Sequence, residues 1–455
     1  MIDLTAKIML CDDLALDYAD RTYEAWKRKL DAAQEAIIQF VTKRLKSHVA
    51  GEFGGYLEGS YNICLIVKVS AKPTYVIRFP KPGRTAVCFI EEKVRNEIQI
   101  VSLLREKTTI PLPTIYTWGM TDDSPSQIGP FIIMEYIEGR RLMEALKQPT
   151  ETKDGKVDLW KDLGNSRVLH AYTQIADYLL QIYQLDFSAA GAISRSHTRD
   201  WVVTERPLTN HMNSLATDVS NYPTQLFPTS CCSSPRMYFQ QLADQHLNHL
   251  RTHQNAVDNL EDARRYFIAR HRLKQSIDRF LYTNNNTSPF KIYCYDFRPS
   301  NMIVDEDLNI KAVVGFEFWN ALPAQFAHGP PWWLTSLRPD EWIDRGFDFE
   351  ALKSRLEPHV EQFLQVMEKV EKEKATDEPV ALLSVPMRDS WISGRFWFNL
   401  AMDDSWTIDA VYWAALHKPG DEVLDEAMED ELKAFYHVKM KQLEAFNVEC
   451  RERGI

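Results

Sequence analysis

Between Ala25 and Leu45 apolar residues return at steps of three and four: Ala25, Trp26, Leu30, Ala33, Ile37, Ile38, Val41 and Leu45. That period predicts an amphipathic helix leading into the segment that follows. At residue 51 the pattern changes. Gly51, Gly54, Gly55 and Gly59 punctuate the chain, and Ile63–Val69 and Tyr75–Phe79 then read as two strands. Lys72, Pro73 and Thr74 supply the turn between them. Helical spacing resumes over 90–106, where Val94, Ile98, Val101 and Leu104 share a face, and Pro111 and Pro113 lie beyond its end. Phe131–Met134 is short and continuously apolar, as a buried strand is, and Glu135–Gly139 follows as a turn.

From about 165 onward the pattern is mostly helical. Residues 189–235 are rich in Ser, Thr, Asn and Pro and read as a long surface excursion. Long helices are expected over 236–282, a loop over Asn284–Pro289, and helices again to the C-terminus. Trp391, Phe396, Trp397, Trp406, Tyr412 and Trp413 read as core packing of those last helices, and the Glu/Lys-rich run 361–378 as a solvated helix and its end. No internal repeat is present. A strand-rich stretch followed by a helix-rich one predicts an α+β protein with two lobes, not an alternating parallel sheet. The boundary falls near 135. Residues 1–135 form a small antiparallel-sheet lobe with a leading helix and one further helix, and 136–455 a larger helical lobe.

Composition narrows the partners. At 455 residues the chain can bury a large core. The net charge of −11 lacks the basic balance of a nucleic-acid binder. No stretch approaches the roughly 20 apolar residues that cross a bilayer, so no membrane partner is expected. The N-terminus has no leader-like apolar run, and the seven Cys follow no framework spacing. A cytoplasmic protein with reduced thiols is expected. His246, His249 and His253 fall on one helix face, but no completing ligand pattern accompanies them, and a packed or solvated face is the better reading.

Chemistry is concentrated in two runs, Tyr293-Cys294-Tyr295-Asp296-Phe297-Arg298-Pro299-Ser300-Asn301 and Val313-Val314-Gly315-Phe316-Glu317-Phe318. An Asp-x-x-x-x-Asn loop, placed between a strand and a short apolar run, matches a phosphoryl-transfer loop in which Asp296 is the base and Asn301 a metal ligand. The other parts of such a site occur in the right order. Gly59 and Ser60 lie in a turn whose amides could cradle phosphates, with an ordinary hairpin as the plainer reading. Arg78 stands on the next strand where Lys is usual, and Glu97 on the following helix can pair with it. Glu135 and Ile137 lie in the link between lobes, where backbone groups would face an adenine.

Several runs together resemble fungal proteins of the aminoglycoside-phosphotransferase and choline-kinase-like family. They are Trp201–Thr209, Tyr266–His271, Asp296–Asn301, Ala321–Phe326 and Pro330–Leu334. The resemblance spans about residues 50–415. It implies a two-lobed, protein-kinase-like fold with the nucleotide site in the cleft, and it leaves the substrate open. Fungal biosynthetic proteins similar to this family act as cyclases, among them norbornene-forming Diels–Alder cyclases of sordarin-type terpenoid pathways. The departures matter more. Where the family pattern has a metal-binding Asp, this chain has Gly315, and where it often has a further Asp, this chain has Tyr295.

Gly315 carries no carboxylate, and losing one preorganised electrostatic group of that kind costs roughly 3 kcal/mol of barrier. Glu317 points to the same side of an extended segment but lies about 6.6 Å further along. It also already belongs to the family pattern, so it is not a new replacement. Three readings compete. The first is a kinase-fold enzyme repurposed for non-phosphoryl chemistry on an apolar small molecule, with an intramolecular Diels–Alder-type cyclisation implied by the resemblance. The second is an ATP-dependent O-kinase, and the third a non-catalytic binding module. The first expects no cofactor and no metal; ATP and Mg enter only with the second. Its site residues are Asp296, Arg298, Asn301, Tyr295 and Glu317, with Gly59, Ser60, Arg78, Glu97, Glu135 and Ile137 lining an ancestral nucleotide cleft that takes substrate instead. The sequence leaves the oligomeric state unknown.

Overall fold

The structure, a computed structural model, describes residues 11–70, 73–146, 164–282, 290–335, 349–375 and 382–455. The predicted leading helix is two helices, α1 (Asp13–Ala32) and α2 (Gln34–Arg44). Asp12 caps the first by accepting from the Ala15 amide at 3.1 Å.

Five antiparallel strands follow: β1 (Gly51–Glu58), β2 (Asn62–Val69), β3 (Tyr75–Pro80), β4 (Ile115–Gly119) and β5 (Phe131–Glu135), in the order β1-β2-β3-β5-β4. The sequence pattern missed β1, because glycines interrupt it, and β4, because prolines precede it. Lys72 of the expected turn lies outside the described residues. The sheet is covered on both faces, which is why β2 is nearly continuously apolar. Ile63, Leu65 and Val67 pack with Leu30, Ile37 and Val41 of α1 and α2. On the other face Val94 and Ile98 of α3 (Ile90–Lys107) pack on Ile132.

The remainder is mainly helical. Its core gathers residues from Ser166–Tyr183, Pro235–Thr252, Leu260–Gln275, Phe349–Lys374 and Arg395–Asp403. The aromatic run expected to be core is largely so, with Phe396, Trp397, Tyr412 and Trp413 all buried. Among the described residues no helix is long and apolar enough to cross a membrane. The expected loop 284–289 lies outside the described residues.

Residues 189–235 are not a surface excursion. They hold the strands Ala192–Arg195 and Trp201–Glu205 and the helix Asn210–Asp218. Leu208, Met212, Leu215, Val219, Tyr222 and Phe227 form a buried cluster with Ala86 and Phe89 of the first lobe. Asn213 completes the junction, accepting from the Ala86 amide at 3.0 Å and donating to Arg84 O at 2.9 Å. The polar composition reflects these junction bonds. The helical return of apolar positions at 208, 212, 215 and 219 was the signal to follow.

The architecture is therefore α+β and two-lobed in the protein-kinase-like manner: a small antiparallel sheet with one helix behind it, then a large helical lobe carrying the loop 293–318.

Candidate functional site

The strand Phe290–Tyr293 pairs with Asn320–Pro323, and the loop between them contains both chemical runs. Pro299–Asn301 makes one turn of 3-10 helix, and Met302–Val304 then pairs with Ile310–Val313. Gly139 lets the link between lobes approach this hairpin. A Cβ there would lie 2.6 Å from Ile303 Cγ2 and 2.7 Å from Val304 O.

Asp296 and Asn301 are brought together, but they face each other. Asn301 Nδ2 donates to Asp296 Oδ2 at 2.6 Å and to Asp296 O at 2.9 Å. Arg298 Nε lies 2.5 Å from Asp296 Oδ1. Burial raises the Asp296 carboxyl above the usual carboxylate range, with Arg298 and Asn301 opposing the rise. Tyr295 stacks on Trp332 with ring centroids 4.9 Å apart, and Trp332 Nε1 donates to Tyr295 O at 2.9 Å.

Arg78 of β3 and Glu97 of α3 form a two-pronged pair, at 2.7 Å and 2.9 Å. The remaining face of the guanidinium is taken by Glu317, whose Oε2 is 2.7 Å from Arg78 Nη2. Glu317 Oε1 accepts from Asn62 Nδ2 at 2.8 Å, and Asn62 Oδ1 in turn accepts from Lys93 Nζ at 2.6 Å. Two cations and two carboxylates thus neutralise one another across the lobe junction. Burial pushes the Lys93 ammonium down to about 8 even beside Glu317. Burial raises Glu97, whereas Arg78 and Lys93 outweigh it at Glu317 and hold that carboxyl low. The sequence assigned no role to Lys93, one of many charged residues on its helix, or to Asn62, the first residue of its strand.

Gly59 closes the β1–β2 hairpin, its amide donating to Asn62 O at 2.9 Å and its carbonyl accepting from Lys81 Nζ at 2.9 Å. Ser60 is exposed on its tip. Glu135 ends β5 with its amide bonded to Thr114 O at 2.8 Å, and Ile137 is half-buried in the link after it.

Between the lobes is a cleft of about 320 Å³. Gly59, Ser60 and Tyr61 line one side, Tyr295, Asp296, Arg298, Asn301 and Glu317 another, and Trp332 the floor. A wall the sequence did not flag comes from Asn210, His211, Asp403 and Asp404. The three histidines of Pro235–Thr252 and its cap are buried, not solvated, and the His211 and His246 rings lie tilted to each other with centroids 4.9 Å apart. Among the described residues no group of three or more His, Cys, Asp or Glu is placed to hold a metal ion.

Gly315 offers a metal no side chain, and both oxygens of Glu317 are bonded to Arg78 and Asn62. Asn301 bonds Asp296 through Nδ2, which leaves its Oδ1, the atom that would ligate a metal, outside that contact.

No family model matches the chain. A curated relative, altered inheritance of mitochondria protein 9 (mitochondrial) of Meyerozyma guilliermondii, is 25% identical over 136 residues. The match covers 30% of this chain and 20% of the relative, so the chain spans a fifth of the length of the curated relative it matches. Among solved structures it is similar to aminoglycoside phosphotransferase APH(4)-Ia, a thermostable mutant in complex with AMP-PNP and hygromycin B. That likeness has a TM-score of 0.41 at 14% identity and covers 84% of this chain and 100% of that one. Ethanolamine kinase of Plasmodium vivax gives 0.35 at 14% identity over 77% and 84%. A fructosamine-3-kinase of Thermobifida fusca gives 0.41 at 10% over 90% and 99%. Likenesses of this strength carry no inference about chemistry.

Proposed function

We propose that this chain is a kinase-fold enzyme repurposed for non-phosphoryl chemistry on an apolar small molecule. We further propose intramolecular cyclisation of Diels–Alder type as the reaction. One observation supports the first step: Gly315 carries no carboxylate, and Glu317, two positions on, is bonded through both oxygens to Arg78 and Asn62. The same contact closes the basic group that would grip phosphate.

What remains in the cleft suits a different task. Tyr295 over Trp332, with Phe318 on the opposite side, provides apolar surface, and Arg298 and Tyr295 provide donors. Folding a tethered diene and alkene against such a surface supplies the reactive orientation that ring closure requires. A donor polarising a conjugated carbonyl lowers the barrier further.

The test uses the purified protein and a linear polyene carrying a diene and a tethered alkene, with and without Mg and ATP. Closure faster than in buffer, the same in both arms and without ADP release, is the expected result. ADP formation, or a closure rate equal to that of buffer, would overturn the reading.

A further inference from the structure

Of the Pro330–Leu334 run only Trp332 lines the cleft. Pro330, Pro331 and Trp333 join it in lining a second cavity, of about 100 Å³. Leu179, Ile182, Phe326, Met387, Phe396 and Leu400 bring apolar side chains to the same wall. Tyr293, Cys294, Tyr295, Trp332 and Asp403 line both spaces, so the cavity adjoins the cleft across a shared wall.

That wall is held in place. Trp332 Nε1 donates to Tyr295 O and Trp333 Nε1 to Phe297 O, both at 2.9 Å, which ties both indoles to the loop 295–297. The two prolines fix the backbone just before them. Phe326 lies against Tyr293 with ring centroids 5.4 Å apart, and Trp319 stands edge-on to Phe297 at 5.5 Å. Protein cores rarely leave a space larger than a water molecule, because its lining loses dispersion contacts. Rings tied down in this way do not fall into the space and fill it, so it is preformed for a guest.

The chemistry of the guest follows from the polar groups on the wall. Both ends of the Asn399 amide are taken by Gln325, at 2.7 Å each. Tyr183 Oη is bonded to His328 at 3.1 Å, Tyr293 Oη donates to Asp403 at 3.4 Å, and both indole N–H groups are engaged. A polar guest would give up its hydration and find these donors already bonded. A hydrocarbon leaves water at a gain and packs against the rings. Size sets the rest. An apolar cavity of about 150 Å³ takes benzene or xenon, so one of about 100 Å³ suits a compact ring or branched chain of at most about six carbons.

We propose that this cavity is a subsite for a compact hydrocarbon group of the ligand whose reacting part lies in the cleft. This rests on the apolar-ligand reading above and adds where the unreactive hydrocarbon is held.

The test titrates benzene, its isostere pyridine and the larger naphthalene into the full chain near neutral pH, followed by ligand-observed NMR. Benzene is expected to bind saturably with a dissociation constant of about 1 mM or tighter, and pyridine and naphthalene at least about tenfold more weakly. Leu179→Trp adds about six atoms to the wall from a half-buried position and should weaken benzene at least about tenfold. Met387→Ala enlarges the cavity and should let naphthalene bind as tightly as benzene. Thermal midpoints report which variants fold, and either one decides. No saturable benzene binding, pyridine binding as tightly as benzene, or constants unmoved in the folded variants overturns the subsite. Benzene is titrated without polyene or nucleotide, so a failed ring closure removes the cyclase reading and leaves the measurement on the cavity standing.

Discussion

At the lobe junction Arg78, Lys93, Glu97 and Glu317 are ionisable, and every one of them touches an oppositely charged group or a matched amide. Behind the helix Asn210–Asp218 the other buried polar cluster carries no charge. His246 Nε2 meets Met402 O at 3.2 Å, His249 bonds Ser405 Oγ at 2.7 Å and His253 Nδ1 at 3.1 Å, and the His211 ring nitrogens have no hydrogen-bond partner among the described residues. Both clusters are buried, and both border the cleft through one member, Glu317 or His211. The difference lies in pairing. The charged cluster closes on itself across the lobe junction, whereas the imidazole cluster leaves nitrogens of His211, His246 and His253 without a hydrogen bond among the described residues.

Acid separates the two most strongly. Burial depresses His211 and His253 to about 4 and holds His246 and His249 well below 6.5. In the unfolded chain all four titrate near 6.5. Between those values the unfolded chain binds more protons, so the stability present above about pH 6.5 is lost as the pH falls. Each ring contributes about 1.4 kcal/mol per pH unit, and four amount to several kcal/mol by about pH 5.5. Asp12 and Asp404 pull the other way on His253 and His211 and soften the slope. Urea midpoints at pH 7.5, 6.5 and 5.5 should fall modestly over the first step and about three times as far over the second. A level second step would show that the rings already have charged or solvated partners.

Removing the centre of the charged cluster comes next in size. Arg78→Met leaves Glu97 and Glu317 buried beside each other without their cation, which costs roughly 3–5 kcal/mol. Adding Glu317→Gln should return part of that loss, because one of the two uncompensated carboxylates disappears. Equal urea midpoints for the single and double variants would mean that Arg78 balances Glu97 alone.

Much of this arrangement was legible in the chain. Strand alternation and helical spacing placed β3, α3 and the loop between Tyr293 and Phe318, and the order strand-then-helix is enough to bring Arg78 against Glu97. The contact that decides the site was not legible. Glu317 reaches Arg78 across 239 positions and Asn62 across 255, and no local period reports such a bond. His211 escaped for a different reason. A histidine among Thr, Asn and Ser reads as loop chemistry until the apolar return at 212, 215 and 219 is recognised as a buried helix face.

The smallest effect bears on Gly315, and it tests whether the charged cluster or the glycine closes the nucleotide site. Gly315 has φ +82°, in the left-handed region that a side chain enters only with strain. A Cβ there would lie 3.0 Å from Asn301 Nδ2 and 3.2 Å from Asn301 Cγ. Asp visits this region more readily than most residues, so Gly315→Asp should cost only about 1–2 kcal/mol. Both hydrogens of that amide already serve Asp296, so Gly315→Ala, which carries the strain without the carboxylate, shows what the added charge does to the thermal midpoint. Neither variant loosens Glu317 from Arg78. Gly315→Asp is therefore expected to lose a few degrees of thermal stability and still release no ADP from ATP with Mg. ADP release would show that a single missing carboxylate had kept an otherwise intact metal site silent, and that the bonds between Arg78 and Glu317 open for phosphate.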